Sequence, residues 1–230
     1  LETAVRRGRF ALESIFIADS RIEPLAELLA RVPADVPVYT APQSVMDKVT
    51  GFPMHRGVLA CGLKGEIPDP AAFLESGVSA ASTLLLLSDL SNHDNIGACF
   101  RNAAAFGASA VLMDAQCCDP LYRKAIRVSS GSTLWLPYAQ GGTGLDMVNA
   151  AKAAGYEVWA MTPRADAAPL SSLPVPARLA ILLGAEGPGL PDEVIATCRA
   201  VRIPMSEGFD SVNVATAGAI ALSHVFNAAV

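Results

Sequence analysis

Residues 82–90, "STLLLLSDL", set four leucines in succession with no polar alternation. Such a run fits a strand buried on both faces, as strands of a parallel sheet are. Behind it, apolar runs and helix-patterned stretches alternate to the end of the chain. A helix is predicted over about 95–106, after a polar loop carrying Asn92, His93, Asp94 and Asn95. A strand follows at "SAVLMD", a helix with its cap at "PLYRKAIRVSSG", and a strand at "TLWLPYA". "GLDMVNAAKAAG" predicts a helix closed by Gly155 as its C′ glycine. "YEVWAMTP" reads as a strand, and "RLAILLGAEGPGL" as a strand running into a glycine-rich loop. "PDEVIATC" reads as a helix with Pro191 at its start, "AVRIPM" as a strand, and "SVNVATAGAIALSHVFNAAV" as a long helix of small residues. Strands alternating with helices imply an α/β domain over 82–230 with a mostly parallel sheet.

Residues 1–66 predict a smaller α/β unit. "SIFIAD" is a strand, and "IEPLAELLARV" an amphipathic helix with Leu25, Leu28, Leu29 and Val32 on one face. "PVYTA" is a short strand, "PQSVMDKVT" a short helix, and "RGVLACGL" a closing strand. "KGEIPDPAAFLESGVSA", with two prolines, two glycines and polar residues, suits a linker, placed at 67–81.

Composition narrows the class. Hydrophobic residues make up 52% of the 230, yet charge, Gly, Pro or Ser interrupts each run before it could cross a bilayer. Glu2, Arg6, Arg7, Arg9 and Glu13 leave no room for a signal-peptide core. Five cysteines without a C-x-x-C spacing and three histidines suggest neither a disulfide framework nor a metal site. A cytoplasmic protein with reduced thiols is expected. The net charge of −5 argues against a broadly basic nucleic-acid binder. Two local clusters run the other way, Arg6–Arg7–Arg9 and Arg123–Lys124–Arg127, and either one could equally be a solvated helix face.

In a parallel sheet, ligands collect at the carboxyl ends of strands. Three such ends are polar or glycine-rich here: "SDLSNHDNIGACFR", "LLGAEGPGL" and "IPMSEGFDSVNVATA". The glycines at 184, 187 and 189 have the wrong order for the dinucleotide fingerprint, and they come late in the chain rather than in its first βα unit. A nucleotide-dependent oxidoreductase of doubly wound fold is therefore the weaker alternative. Ser211 and Asn213 fit an N-cap of the last helix as well as they fit a site. His93 reads as a solvated loop residue.

The set Asn95, Gly97, Arg101, then "LLGAEGPGL", then "IPM…SVNVATA" resembles the three motifs of the SpoU, or TrmH-type, RNA 2′-O-ribose methyltransferases of the SPOUT superfamily. The likeness runs through 82–230, and "VSSGSTLWLPY" resembles the segment between the first two motifs. Residues 1–66, ending in "HRGVLACG", resemble the family's small L30e-like, ribosomal-protein-like substrate domain. That domain would be shortened here, since the chain opens on Leu1 without the family's first strand and helix.

The resemblance implies an α/β domain whose C-terminal chain forms a trefoil knot around S-adenosylmethionine, in a homodimer that acts on RNA and needs neither membrane nor metal. Leu183, Gly184, Glu186, Gly189, Ile203, Met205, Ser211, Val212 and Asn213 would bind the cofactor, with the adenosine on Gly184, Ile203 and Val212. Arg101 would be the catalytic arginine, acting as a base or as a cation that steadies the developing alkoxide. Asn95 would position Arg101 or the ribose, Glu186 would orient Arg101, and Ser211 and Asn213 would complete the pocket. Ribosomal RNA is the favoured substrate over transfer RNA. An RNA-binding protein of the same fold that has lost catalysis is the other reading.

Overall fold

Ile15 and Ile17 point to one side of the first strand, and a small core forms there; alternate leucines of the four in series, Leu84 and Leu86, join a larger one farther on. The computed structural model describes residues 1–77 and 82–228. The chain divides into two compact units, Leu1–Glu66 and Ile67–Val230.

The first unit opens on a short helix, α1 (Glu2–Arg7), and strand β1 (Leu12–Ala18). A one-turn helix α2 (Ala26–Leu29), strand β2 (Val38–Ala41), helix α3 (Gln43–Thr50) and strand β3 (Val58–Gly62) follow. The strands form a sheet in the order β2-β1-β3, with β2 parallel and β3 antiparallel to β1. The amphipathic helix expected at 22–32 is broken: 3-10 turns at Asp19–Arg21 and Glu23–Leu25 precede α2. Pro24 explains the break, because its ring removes one amide donor and crowds the preceding turn. Leu25, Leu29 and Val32 still pack against Ile15, Ile17 and Val36, so the apolar pattern survives without a continuous helix.

The second unit begins where a linker was expected. Helix α4 (Pro70–Glu75) occupies it, capped by Asp69, whose carboxylate accepts from the Ala72 amide at 2.9 Å. Phe73 and Leu74 pack onto the main core, which explains why this proline-flanked stretch is ordered as a helix. Residues 78–81 of that stretch lie outside the described residues. Then come β4 (Ser82–Leu87), α5 (His93–Ala105), β5 (Ala110–Met113), α6 (Arg123–Val128), β6 (Tyr138–Gln140), α7 (Gly144–Ala153) and β7 (Glu157–Met161). The rest is β8 (Ala168–Pro169), β9 (Arg178–Leu183), α8 (Asp192–Ala196), β10 (Arg199–Arg202) and α9 (Val214–Ala228).

The strands stand in the order β6-β5-β4-β9-β7-β10-β8, and each pairing is parallel. All carboxyl ends therefore lie along one edge. Leu84 and Leu86 face a core shared with Met147, Val148 and Ala151 of α7 and with Val194 and Ile195 of α8. Helices α5 and α9 pack against each other, and α9 packs on β9. The structure belongs to the α/β class, as the alternation of patterns predicted.

Two further elements differ from expectation. Helix α5 starts at His93, with Asn92 as its N-cap accepting from the Asp94 amide at 2.8 Å, so Asn95 sits in the first helical turn rather than in a loop. The strand expected at 133–139 shrinks to Tyr138–Gln140, preceded by a 3-10 turn at Ser132–Leu134. Pro137 has no amide to donate to a ladder, so the strand begins after it.

Gly97 marks the tightest helix crossing. A Cβ there would lie 2.7 Å from the Ala125 carbonyl oxygen and 2.9 Å from the Val128 Cβ, both on α6. Gly97→Ala should therefore destabilise the protein by about 1–2 kcal/mol, the overpacking cost exceeding the gain in helix propensity. Urea unfolding of the two proteins measures this, and a stabilised variant would mean that α6 yields freely.

Candidate active site

The loop after β4 is fixed from below by one carboxylate. Asp114 follows β5 and is 2% exposed. It accepts from the Ser88 hydroxyl at 2.6 Å, from the Asp89 amide, and from the Gln116 and Cys117 amides. Charge-assisted bonds of this kind are the strong ones. They hold Asp89 in a left-handed conformation, φ +56°, and set the point from which α5 departs.

On α5, Asn95 is buried, and its side-chain oxygen accepts from the Asn213 Nδ2 at 2.9 Å. The Asn213 Oδ1 in turn accepts from the amides of Ala215 and Thr216, at 2.9 and 3.3 Å. Asn213 thus caps α9, as its capping reading expected, and joins the first polar loop region to the third. Two turns along α5, Asn102 donates to the Ala215 carbonyl at 2.9 Å. Sequence reasoning passed over Asn102. Its seven-residue spacing from Asn95, which puts both on one helix face, was the available signal.

The glycine loop after β9 turns back on itself. The Gly189 amide donates to the Ala185 carbonyl at 3.1 Å, and Gly187 and Gly189 take positive φ. At Gly184 a Cβ would lie 2.7 Å from both the Leu190 amide nitrogen and its Cγ, so only glycine fits under the turn.

The glycine loop and the loop before α9 border a cleft of about 620 Å³, which no residue of the loop after β4 lines. Its wall carries Leu183, Gly184, Glu186 and Gly189 from the second loop, and Ile203, Met205, Ser211, Val212 and Asn213 from the third. The segment after β7 adds Met161, Thr162, Pro163 and Arg164, which sequence reasoning did not include. The lateral position of β7 beside β9 puts them there, and strand order is not legible in sequence. Arg164 bonds Asp192 at 2.9 Å and Asp166 at 3.3 Å across the rim. Carboxylates outnumber cations on the wall, with Glu186, Asp192 and Asp210 against Arg164. An apolar floor with backbone polar groups and an acidic margin suits a flat aromatic ligand that carries positive charge.

Arg101 is exposed, lies outside the cleft wall, and makes no hydrogen bond or ion pair among the described residues. The expected bond from Glu186 to Arg101 is absent, because Glu186 faces the cleft while the arginine projects from α5 into solvent. Glu186 instead bears on Cys99. Burial pushes that thiol up to about 12, and the carboxylate adds to the rise, so Cys99 is a packing residue and not a nucleophile. Ser211 lines the cleft and makes no hydrogen bond among the described residues. No group of three or more His, Cys, Asp or Glu suited to a metal occurs among the described residues, and no described helix is long and apolar enough to cross a membrane.

The family described as SpoU rRNA Methylase matches residues 82–223. An uncharacterized tRNA/rRNA methyltransferase of Mycobacterium tuberculosis is 41% identical over 218 residues, covering 93% of this chain and 74% of that protein. A 23S rRNA (guanosine-2′-O-)-methyltransferase of Acinetobacter baylyi is 30% identical over 210 residues, covering 89% and 83%. The fold is similar to the crystal structure of an AdoMet-bound rRNA methyltransferase from Sinorhizobium meliloti. The TM-score is 0.79 at 23% identity, over 95% of this chain and 81% of that one.

Asn213→Ala should cost about 1–2 kcal/mol of stability, since it removes a helix cap and leaves Asn95 buried without its donor. Asn213→Asp keeps the cap and should recover part of the loss; equal losses in both variants by urea unfolding would show that the cap contributes nothing. Iodoacetamide at pH 8 should label exposed Cys61 and leave Cys99 unmodified in the folded protein. Equal labelling by mass spectrometry would show that the α5 face opens.

Proposed function

The chain belongs to the SpoU rRNA Methylase family, and from that premise we propose that it transfers a methyl group from S-adenosylmethionine to a ribose 2′-hydroxyl of RNA, ribosomal RNA in preference to transfer RNA. The observation that carries this reading is the Asn95–Asn213 bond at the wall of the cleft, which couples the helix bearing Arg101 to the loops that would hold the cofactor.

The cleft fits the cofactor on three counts. Its volume suits a nucleoside-sized ligand. Leu183, Ile203, Met205 and Val212 offer apolar surface for adenine, while Gly184, Ile203 and Val212 offer backbone groups for its edge. Glu186 and Asp210 favour a positively charged group by simple electrostatics. When bound, the cofactor supplies an activated methyl on a sulfonium.

The chain's residues do the rest. Asn213 fixes Asn95, Asn95 fixes the first turn of α5, and α5 presents Arg101 to the incoming strand. Arginine does not give up its proton in proteins, so its role is to hold phosphate and steady the charge that builds on the 2′-oxygen. The proton leaves to phosphate or water. Ser211 completes the wall. A threaded C-terminal knot belongs to this proposal, consistent with β9 lying between β4 and β7 while α9 packs on β9. So do a homodimer with the site near its interface, an RNA-recognition role for Leu1–Glu66, and a cytoplasmic setting, consistent with five free thiols.

Calorimetry with S-adenosylmethionine and S-adenosylhomocysteine, and tritium transfer to purified ribosomal RNA, test the reading. Wild type and Arg101→Ala should bind both ligands alike. Transfer should fall at least about 100-fold in Arg101→Ala and should not recover in Arg101→Lys, which lacks the planar fork. Label on a base instead of on alkali-resistant ribose would overturn the 2′-O assignment, and no ligand binding with RNA present would overturn the pocket.

A further inference from the structure

Two aromatic rings stand together where α5 and α6 begin. His93 is the first residue of α5, and Tyr122 immediately precedes α6. Their ring centroids are 4.4 Å apart, with planes tilted by 49°. Tyr122 is 45% exposed, so much of its ring meets solvent. The pair does not ride on a loose surface. Lys124 bonds Asp94 at 2.7 Å, joining the same two helix starts, and the contact at Gly97 sets α6 directly against α5. Tyr122 is therefore held in place by the helix that carries Asn95 and Arg101.

The surroundings are cationic. Arg123 and Arg127 lie one turn apart on α6 and so share a face. Both are exposed, and neither makes a hydrogen bond or ion pair among the described residues. In a chain of net charge −5, free arginines beside an exposed tyrosine ring backed by a half-buried histidine are an arrangement that polyanions with unpaired bases recognise: bases stack on the ring and phosphates meet the guanidinium groups.

We propose that Tyr122, backed by His93, is a stacking platform for an unpaired RNA base next to the methylated ribose, with Arg123 and Arg127 holding the flanking phosphates. This rests on the RNA methyl transfer proposed above and adds the form of RNA preferred: a single-stranded or flipped-out nucleotide, because a base inside a duplex has no free face to offer. His93 opens the same helix two residues before Asn95, whose side-chain oxygen accepts from Asn213 of the cleft wall, so the platform and the cleft are tied to one helix start.

The test uses the full chain with a fluorescein-labelled 12-nucleotide single-stranded RNA, read by anisotropy at low salt. Tyr122→Ala should weaken binding about tenfold, the scale of one lost stacking contact, while Tyr122→Phe should bind nearly as the wild type does. Arg123→Ala with Arg127→Ala should lower the slope of log affinity against log salt by about 1.4, the value for two phosphates on a single strand. Photocrosslinking a 4-thiouridine version to the wild type, which needs no variant to fold, should place adducts on Tyr122 or His93. Unchanged affinity in Tyr122→Ala, a preference for a 12-base-pair duplex, or adducts confined to other residues would overturn the platform. Calorimetry with S-adenosylhomocysteine and transfer to ribosomal RNA read the parent proposal separately. A platform without transfer overturns the activity, and transfer with an indifferent Tyr122 overturns the platform.

Discussion

The insertion of β9 between β4 and β7 governs the second unit. β9 pairs in parallel with both, and its register sets Leu87 beside Leu183 and Ala160 beside Leu182. That register brings the ends of three strands to one line, so the loops leaving them must meet. It also assigns the faces. Leu182 enters the core under α7 and α8, while Leu183 meets Gly218 of α9, where a Cβ would lie 2.8 Å from its Cδ1. A slip of one residue would turn every side chain of β9 to the opposite face. β4 and β9 are distant in sequence, so the pairing closes a long loop, and the contacts that repay that entropy form only once the sheet is nearly complete.

Two polar ties convert this register into a site. Asp114 gathers donors from both sides of the first loop, and Asn213 gathers Asn95 and the first amides of α9. Buried Asp114 and buried Asn95 would each cost free energy if left alone, and each is satisfied by a group from a separate part of the chain. The loops therefore share a geometry with the sheet instead of moving as independent surface segments. Asn102 extends the same logic along α5 by holding the Ala215 carbonyl. The helix bearing Arg101 is thus pinned to α9 at two points, seven residues apart.

Much of this was legible in the sequence, for definable reasons. "STLLLL" fits a strand buried on both faces, and Gly155 fits the end of a helix, and both elements are found there. Three polar strand ends in that order carried the family likeness. What sequence did not disclose was either lateral or local. The participation of Thr162, Pro163 and Arg164 in the cleft follows from strand order, which no window of residues encodes. The helix at Pro70–Glu75 was hidden because prolines and glycines at both ends suggested a linker, whereas Pro70 at a first helical position after Asp69 is a start signal. The break at Pro24 was hidden by an apolar pattern that a helix and two short turns satisfy equally. Arg101 was expected beside Glu186. Its place on the solvent side of α5 is a matter of helix phase: Arg101 lies six residues, about 240° around the helix, from buried Asn95.

The distribution of charge follows from the same architecture. A net charge of −5 describes the whole chain, but ligands meet local fields, because exposed charges are screened beyond about 10 Å. The cleft margin carries Glu186, Asp192 and Asp210, while α6 carries Arg123 and Arg127. A cationic small molecule and a polyanionic strand have opposite demands, and a surface of one sign could serve only one of them. The parallel sheet separates the two functions in space: the acids sit on loops leaving β9 and β10 and on the start of α8, the bases on a helix across α5. Helix α5 lies between these fields, buried on the side of Asn95 and open on the side of Arg101. Under the proposed function, a guanidinium in that position would meet the strand's charge without being neutralised by the carboxylates of the cleft, because no bond joins it to Glu186.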